Sequence, residues 1–244
     1  MKKYYGALTA LFTAAACALR IVELRTGFLP SGLPEGNTVG KLLVCVLLMA
    51  AAVFLVPARK LPGRAGTTGS FVSYFPFDGT LPLTLLVSGA LLLCASGVWA
   101  AATDRRVIVL APALLRLAGG VSLFAAAALA RRGREDVRKL LVPVISLVVQ
   151  LVISYRANAA DPVLAHFYVE ILALAAMALL YLCFASFACG LGSVRRFFPL
   201  AALSAVLCAC VAAQGGDPAT LLAYIGRTVV AAAMLAAWQQ PENT

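Results

Sequence analysis

Arg116, Glu170 and Arg227 stand inside runs that are otherwise apolar. A charge at the middle of a bilayer costs a few kcal/mol even on the mildest insertion scales, so it faces a bundle interior or water and marks a place where something happens. Two guanidiniums and one carboxylate make an anion-binding set. A fixed guanidinium fork grips a carboxylate or phosphate through paired hydrogen bonds, and Glu170 beside it would exchange a proton as the anion enters. Counted at about 1.5 Å per residue from outer span ends near residues 106, 161 and 217, the three lie about 15, 13 and 15 Å deep, and Gln150 joins them about 9 Å below an end near 156. Counted from the inner ends the same three lie at about 21, 28 and 16 Å, so their meeting depends on where the sixth span sits. The structural alternative pairs Glu170 with one arginine to fix helix register, while the other arginine snorkels or bonds backbone carbonyls.

Asp161 and Pro162 form a helix start, with the carboxylate over free amides and proline at the first helical position. His166, the only histidine, lies four residues before Glu170 and shares its face. Asp161 and His166 are therefore expected at the outer mouth, where a histidine would titrate near neutrality and sense pH. No second histidine or H-E-x-x-H supplies a third metal ligand, so no metal and no other cofactor is expected. No G-x-S-x-G, Walker A or paired intramembrane carboxylates are present, so no catalytic residue is assigned and the balance leans away from an enzyme.

The elements that must position these residues follow from composition. Of 244 residues 62% are hydrophobic and 12% charged, against about half and a quarter in soluble domains. Apolar runs at about 4–22, 39–57, 81–102, 107–130, 139–155, 163–189, 197–213 and 219–238 read as eight transmembrane helices in one all-α membrane domain, 1–244, with no room for a soluble module. Thr103 to Arg106 make the third and fourth spans a tight hairpin. The net charge of +10 fits topology and anionic headgroups rather than nucleic acid. The seven cysteines fall in apolar runs without a C-x-x-C pair and read as small hydrophobes. Matched punctuation, with Pro82 and Pro199 opening the third and seventh spans and Asp104 and Asp217 following them, suggests a 4+4 parallel duplication that would make Arg116 and Arg227 equivalent.

Loop charges set the orientation. Lys2, Lys3, Arg59, Lys60, Arg64, Arg131, Arg132, Arg134, Arg138, Lys139, Arg195 and Arg196 lie on one side, and Arg20, Arg25, Lys41, Arg105, Arg106 and Arg156 on the other, which places both termini in the cytoplasm of a plasma (inner) membrane. Lys2 and Lys3 ahead of an apolar stretch would also suit a secretory leader, but the first span reads as retained. In the long loop 58–80, Phe71, Tyr74, Phe75 and Phe77 are expected at the headgroup level, with Arg59, Lys60 and Arg64 against anionic lipid. A gating or docking role is the alternative there. Gly63, Gly66 and Gly69 lack the G-K-[ST] of a phosphate cradle. Ser96, Ser122, Ser146, Ser186, Gly89, Gly97, Gly119 and Gly120 read as small residues between close-packed helices, faces through which a homo-oligomer or a membrane partner subunit could form.

These residues point first to binding or movement of a small anionic solute or lipid headgroup at Arg116, Gln150, Glu170 and Arg227. An accessory, scaffold or sensory membrane subunit is the second reading, and a membrane-embedded lipid-modifying enzyme the third.

Overall fold

In hydrocarbon every backbone N–H and C=O must find its partner within the chain, so an apolar run of about twenty residues closes into a helix. The computed structural model describes residues 2–26, 38–61, 71–77, 79–104, 106–134, 136–158 and 167–239, and among them all regular structure is helical. Eight helices are long and apolar enough to cross a membrane: α1 (Lys2–Thr26), α2 (Thr38–Ala58), α4 (Thr80–Thr103), α5 (Val107–Arg131), α6 (Val137–Asn158), α7 (Tyr168–Ala188), α8 (Val194–Ala212) and α9 (Pro218–Ala237). Between α2 and α4 a single turn, α3 (Phe71–Tyr74), is added.

Local chemistry ends these helices. In the α4–α5 hairpin the Asp104 carboxylate accepts from Arg106 Nε at 2.8 Å and from its backbone N–H at 2.9 Å, and these bonds hold the carboxyl below its usual range. Asp217 accepts from the Thr220 amide at the start of α9, with Pro218 in the first helical position. Gly133 and Gly190, at φ 67° and 68°, close α5 and α7. At each, the amide of the following residue returns to a carbonyl inside the helix, Arg134 to Leu129 and Leu191 to Ser186, an ending that a left-handed glycine permits.

Helices α4, α5, α6, α7, α8 and α9 form a closed ring, each packed on the next and α9 back on α4, while α1 and α2 lie outside against α8. Small residues let backbones approach, as lipid-embedded helices require. A Cβ on Gly97 would stand 2.6 Å from the Ala113 carbonyl oxygen of α5, and one on Gly89 2.9 Å from that of Gly226 in α9. Serine hydroxyls stitch neighbouring helices: Ser96 donates to the Ala219 carbonyl across α4–α9 and Ser146 to that of Leu115 across α5–α6, both at 2.6 Å, and Ser122 donates to that of Lys139.

A duplication would set α2 on α4 as α7 is set on α8, but α2 packs on α1 and α8. The equivalence survives in position alone, since Arg116 and Arg227 are each ten residues into helices that flank α4 on either side.

Two expectations are corrected. Phe71, Tyr74, Phe75 and Phe77 do not rest at a headgroup belt; they are 3%, 5%, 0% and 2% exposed. Phe184, Phe187 and Phe197, at the end of α7 and the start of α8, offer an apolar recess. Phe75 meets all three edge-on at 4.7–5.1 Å between ring centroids, a geometry that stabilises aromatic pairs beyond simple burial. Tyr74 is held there also by the Gln239 amide, which donates to its carbonyl at 2.8 Å. Arg20, counted above as a loop charge, lies inside α1 and is fully buried, its Nη1 2.6 Å from the Glu23 carboxylate. Helix α1 runs to Thr26, one turn past the apolar run, and carries the pair in with it.

Candidate functional site

Four helices of the ring bring their polar side chains to one point. Arg116 of α5, Gln150 and Ser146 of α6, Tyr181 of α7 and Arg227 of α9 line a single cavity, with Leu93, Gly119, Leu123, Pro143 and Leu147 completing its wall. Its volume is about 20 Å³, which is room for one water-sized guest. No carboxylate is among the lining residues.

Each guanidinium is held by neutral groups. Arg227, 2% exposed, donates from Nη2 to Gln150 Oε1 at 2.6 Å, and Gln150 Nε2 donates onward to Ser146 Oγ at 3.0 Å. The Arg227 guanidinium carbon also lies 4.6 Å from the centre of the Tyr224 ring, a cation–π contact one helical turn away on the same helix. Arg116 donates from Nη1 to Ser96 Oγ at 3.2 Å, and Ser96 hands its own hydrogen to the Ala219 carbonyl. Arg116 Nε and the Tyr181 hydroxyl are buried without a hydrogen-bond partner. Arginine keeps its proton in proteins, so two positive charges share one water-poor space with spare donors and no counter-charge in the wall.

Among the sequence-derived residues, Arg116, Gln150 and Arg227 converge at this cavity, and Glu170 does not. Helix α7 begins at Tyr168, which puts Glu170 in its first turn rather than about 13 Å into a span. Its carboxylate accepts from the Tyr224 hydroxyl at 3.1 Å, and it is salt-bridged to neither arginine. The Tyr224 ring thus separates acid from guanidinium, which removes the register-fixing pairing of Glu170 with an arginine. Asp161 and His166 lie outside the described residues.

Sequence reasoning missed Ser96 and Tyr224 as partners of the arginines and Tyr181 as a wall of their cavity. Two signals were available: Tyr181 is a hydroxyl far inside a span, whereas membrane tyrosines favour the interface, and Tyr224 precedes Arg227 by three residues and so shares its face.

Fold and site together define a multi-pass helical membrane protein with a cationic interior. Comparison with protein-family models, curated proteins and solved structures finds no match to this chain.

Proposed function

We propose that this protein binds a small anion between Arg116 and Arg227 and passes it across a plasma (inner) membrane in which both chain termini face the cytoplasm. One observation carries the reading: two buried guanidiniums line one cavity with neutral partners only, and Arg116 Nε and the Tyr181 hydroxyl are left as unused donors aimed at no protein acceptor. A buried donor left unsatisfied costs about 1–3 kcal/mol, and a compact anion would satisfy both while offsetting one of the two positive charges. The small volume favours a halide-sized guest in this conformation; a carboxylate or phosphate requires the surrounding helices to part. Glu170 joins the same set through Tyr224, from whose hydroxyl it accepts and whose ring Arg227 contacts.

The test is thermal unfolding of the detergent-purified protein against chloride, nitrate, formate, acetate and phosphate, for wild type, Arg116→Lys and Arg227→Lys. Lysine keeps the charge and loses the fork. An anion at a hundred times its Kd should stabilise wild type by about 2.7 kcal/mol, and the lysine variants less at the same concentration. If no anion stabilises wild type, the arginines serve to hold α4, α5, α6 and α9 together through Ser96 and Gln150, and a scaffold role replaces this one.

A further inference from the structure

On the opposite flank of α8 from the arginine cavity's ring neighbours, α2 and α8 leave a second, larger space between them. It measures about 660 Å³, within the range of small-molecule sites. Its walls are apolar, with Phe54 and Leu55 from α2 facing Leu200 and Leu203 from α8. One end is cationic: Arg59, just past α2, and Arg195 and Arg196, in the first turn of α8, line the rim. All three are solvent-exposed and none is ion-paired among the described residues. Ser193, also on the rim, is the N-cap of α8, so the positive end of that helix lies at the rim.

We propose that this groove is a binding site for one anionic phospholipid, its phosphate on the three arginines and an acyl chain along the apolar walls. The dimensions fit a lipid of one leaflet. From Arg59 back to Ala51, and from Arg195 on to Leu203, each wall runs eight residues, about 12 Å of helix, against a leaflet hydrocarbon depth of about 15 Å. Both ends of the molecule needed for recognition are present and correctly ordered, charge at the membrane surface and hydrocarbon below. A free phosphate would use the rim and leave the walls unexplained; a neutral lipid would use the walls and leave three unpaired guanidiniums. The arginines come from segments far apart in sequence, so their convergence differs from the diffuse attraction that any basic loop has for a charged leaflet.

The test uses the full chain, delipidated in neutral detergent, with lipid binding read by native mass spectrometry and by thermal shift. The probes are a short-chain phosphatidylglycerol, a phosphatidylcholine of the same chains, and glycerol phosphate without chains. The variants are Arg195→Gln/Arg196→Gln, a groove-filling Leu203→Trp, and Arg131→Gln/Arg132→Gln as a control pair at the end of α5, away from the groove. The arginines are exposed, so these exchanges leave folding intact, and the ligand-free melting temperature verifies it. We expect one phosphatidylglycerol per chain, at least tenfold preference over phosphatidylcholine, no comparable binding of glycerol phosphate, and a tenfold or greater loss in Arg195→Gln/Arg196→Gln and in Leu203→Trp but not in the control. Equal binding of the two lipids, equal loss in the control pair, or several equivalent lipids per chain would reduce the effect to an unspecific annulus and overturn the proposal. Tight binding of glycerol phosphate alone would overturn it in favour of a soluble phosphate.

Discussion

Arg20 and Glu23 form a buried ion pair within one helix. The two are three residues apart, which places them side by side on α1, and both are sealed from solvent where α1 meets α8, with the Arg20 guanidinium carbon 5.9 Å from the Tyr168 ring centre. Removing one partner of a buried ion pair is more damaging than removing both, because the charge that stays has lost the opposite charge nearest to it. Glu23→Gln should therefore cost about 3–5 kcal/mol, while Arg20→Leu/Glu23→Leu should recover most of that loss. Chemical unfolding in mixed micelles measures both, and equal costs for the single and double variants would remove the pair from the stability of the fold. This pair was legible at i, i+3 in the sequence. Its burial is not legible, because Arg20 stands where the apolar run ends and a residue at that margin reads as a loop charge unless the helix continues to Thr26.

Element by element, the helix seams rest on glycines of unequal importance, Gly97 between α4 and α5 and Gly119 between α5 and α6. Gly97 presses on the backbone of α5, and an added Cβ would lie 2.6 Å from the Ala113 carbonyl oxygen and 3.1 Å from the Leu117 amide nitrogen, atoms that cannot swing away. A Cβ on Gly119 would meet nothing nearer than Ser146 Oγ at 3.6 Å, an ordinary contact. Gly97→Ala should thus force α4 and α5 apart and cost about 1–3 kcal/mol, whereas Gly119→Ala should be neutral or slightly stabilising through its better helix propensity. Thermal melts of the two variants side by side decide this, and equal behaviour would mean that the α4–α5 seam yields more easily than its geometry implies. The sequence identified both glycines as packing residues but not their ranking, which depends on what stands opposite each one. That eight runs form helices of membrane length was readable, because periodicity is irrelevant when a whole run must be apolar and only its length counts. The aromatic recess was not readable: Phe75 finds Phe184, Phe187 and Phe197 more than a hundred residues away, and nothing local distinguishes such a ring from one at the interface.

At the scale of the whole molecule, the chain builds a ring of six helices, braces it from outside with α1 and α2, and covers the α7–α8 end with α3 and its rings. The polar groups within follow that asymmetry. Glu170 and Tyr224 lie toward the end where α7 and α9 begin, Arg227 and Gln150 deeper, and the aromatic cover at the other end, so the polar groups reach the cavity from one side and the Phe cluster closes the opposite end of α7 and α8. Which side is which depends on insertion, and the basic residues decide it. With Arg20 buried inside α1, the loop count of the expected orientation becomes Arg25, Lys41, Arg105, Arg106 and Arg156 against the twelve opposite. Cys189 provides the test, since it is exposed in the turn between α7 and α8, on the same end as the aromatic cover. In a variant keeping Cys189 as its single cysteine, a membrane-impermeant maleimide should fail to label intact cells and should label them once opened. Labelling of intact cells would turn the basic, aromatic-covered end outward, reverse the direction from which the proposed anion meets Arg227, and place the proposed lipid groove in the outer leaflet, where anionic headgroups are scarcer and the three arginines would have less to bind.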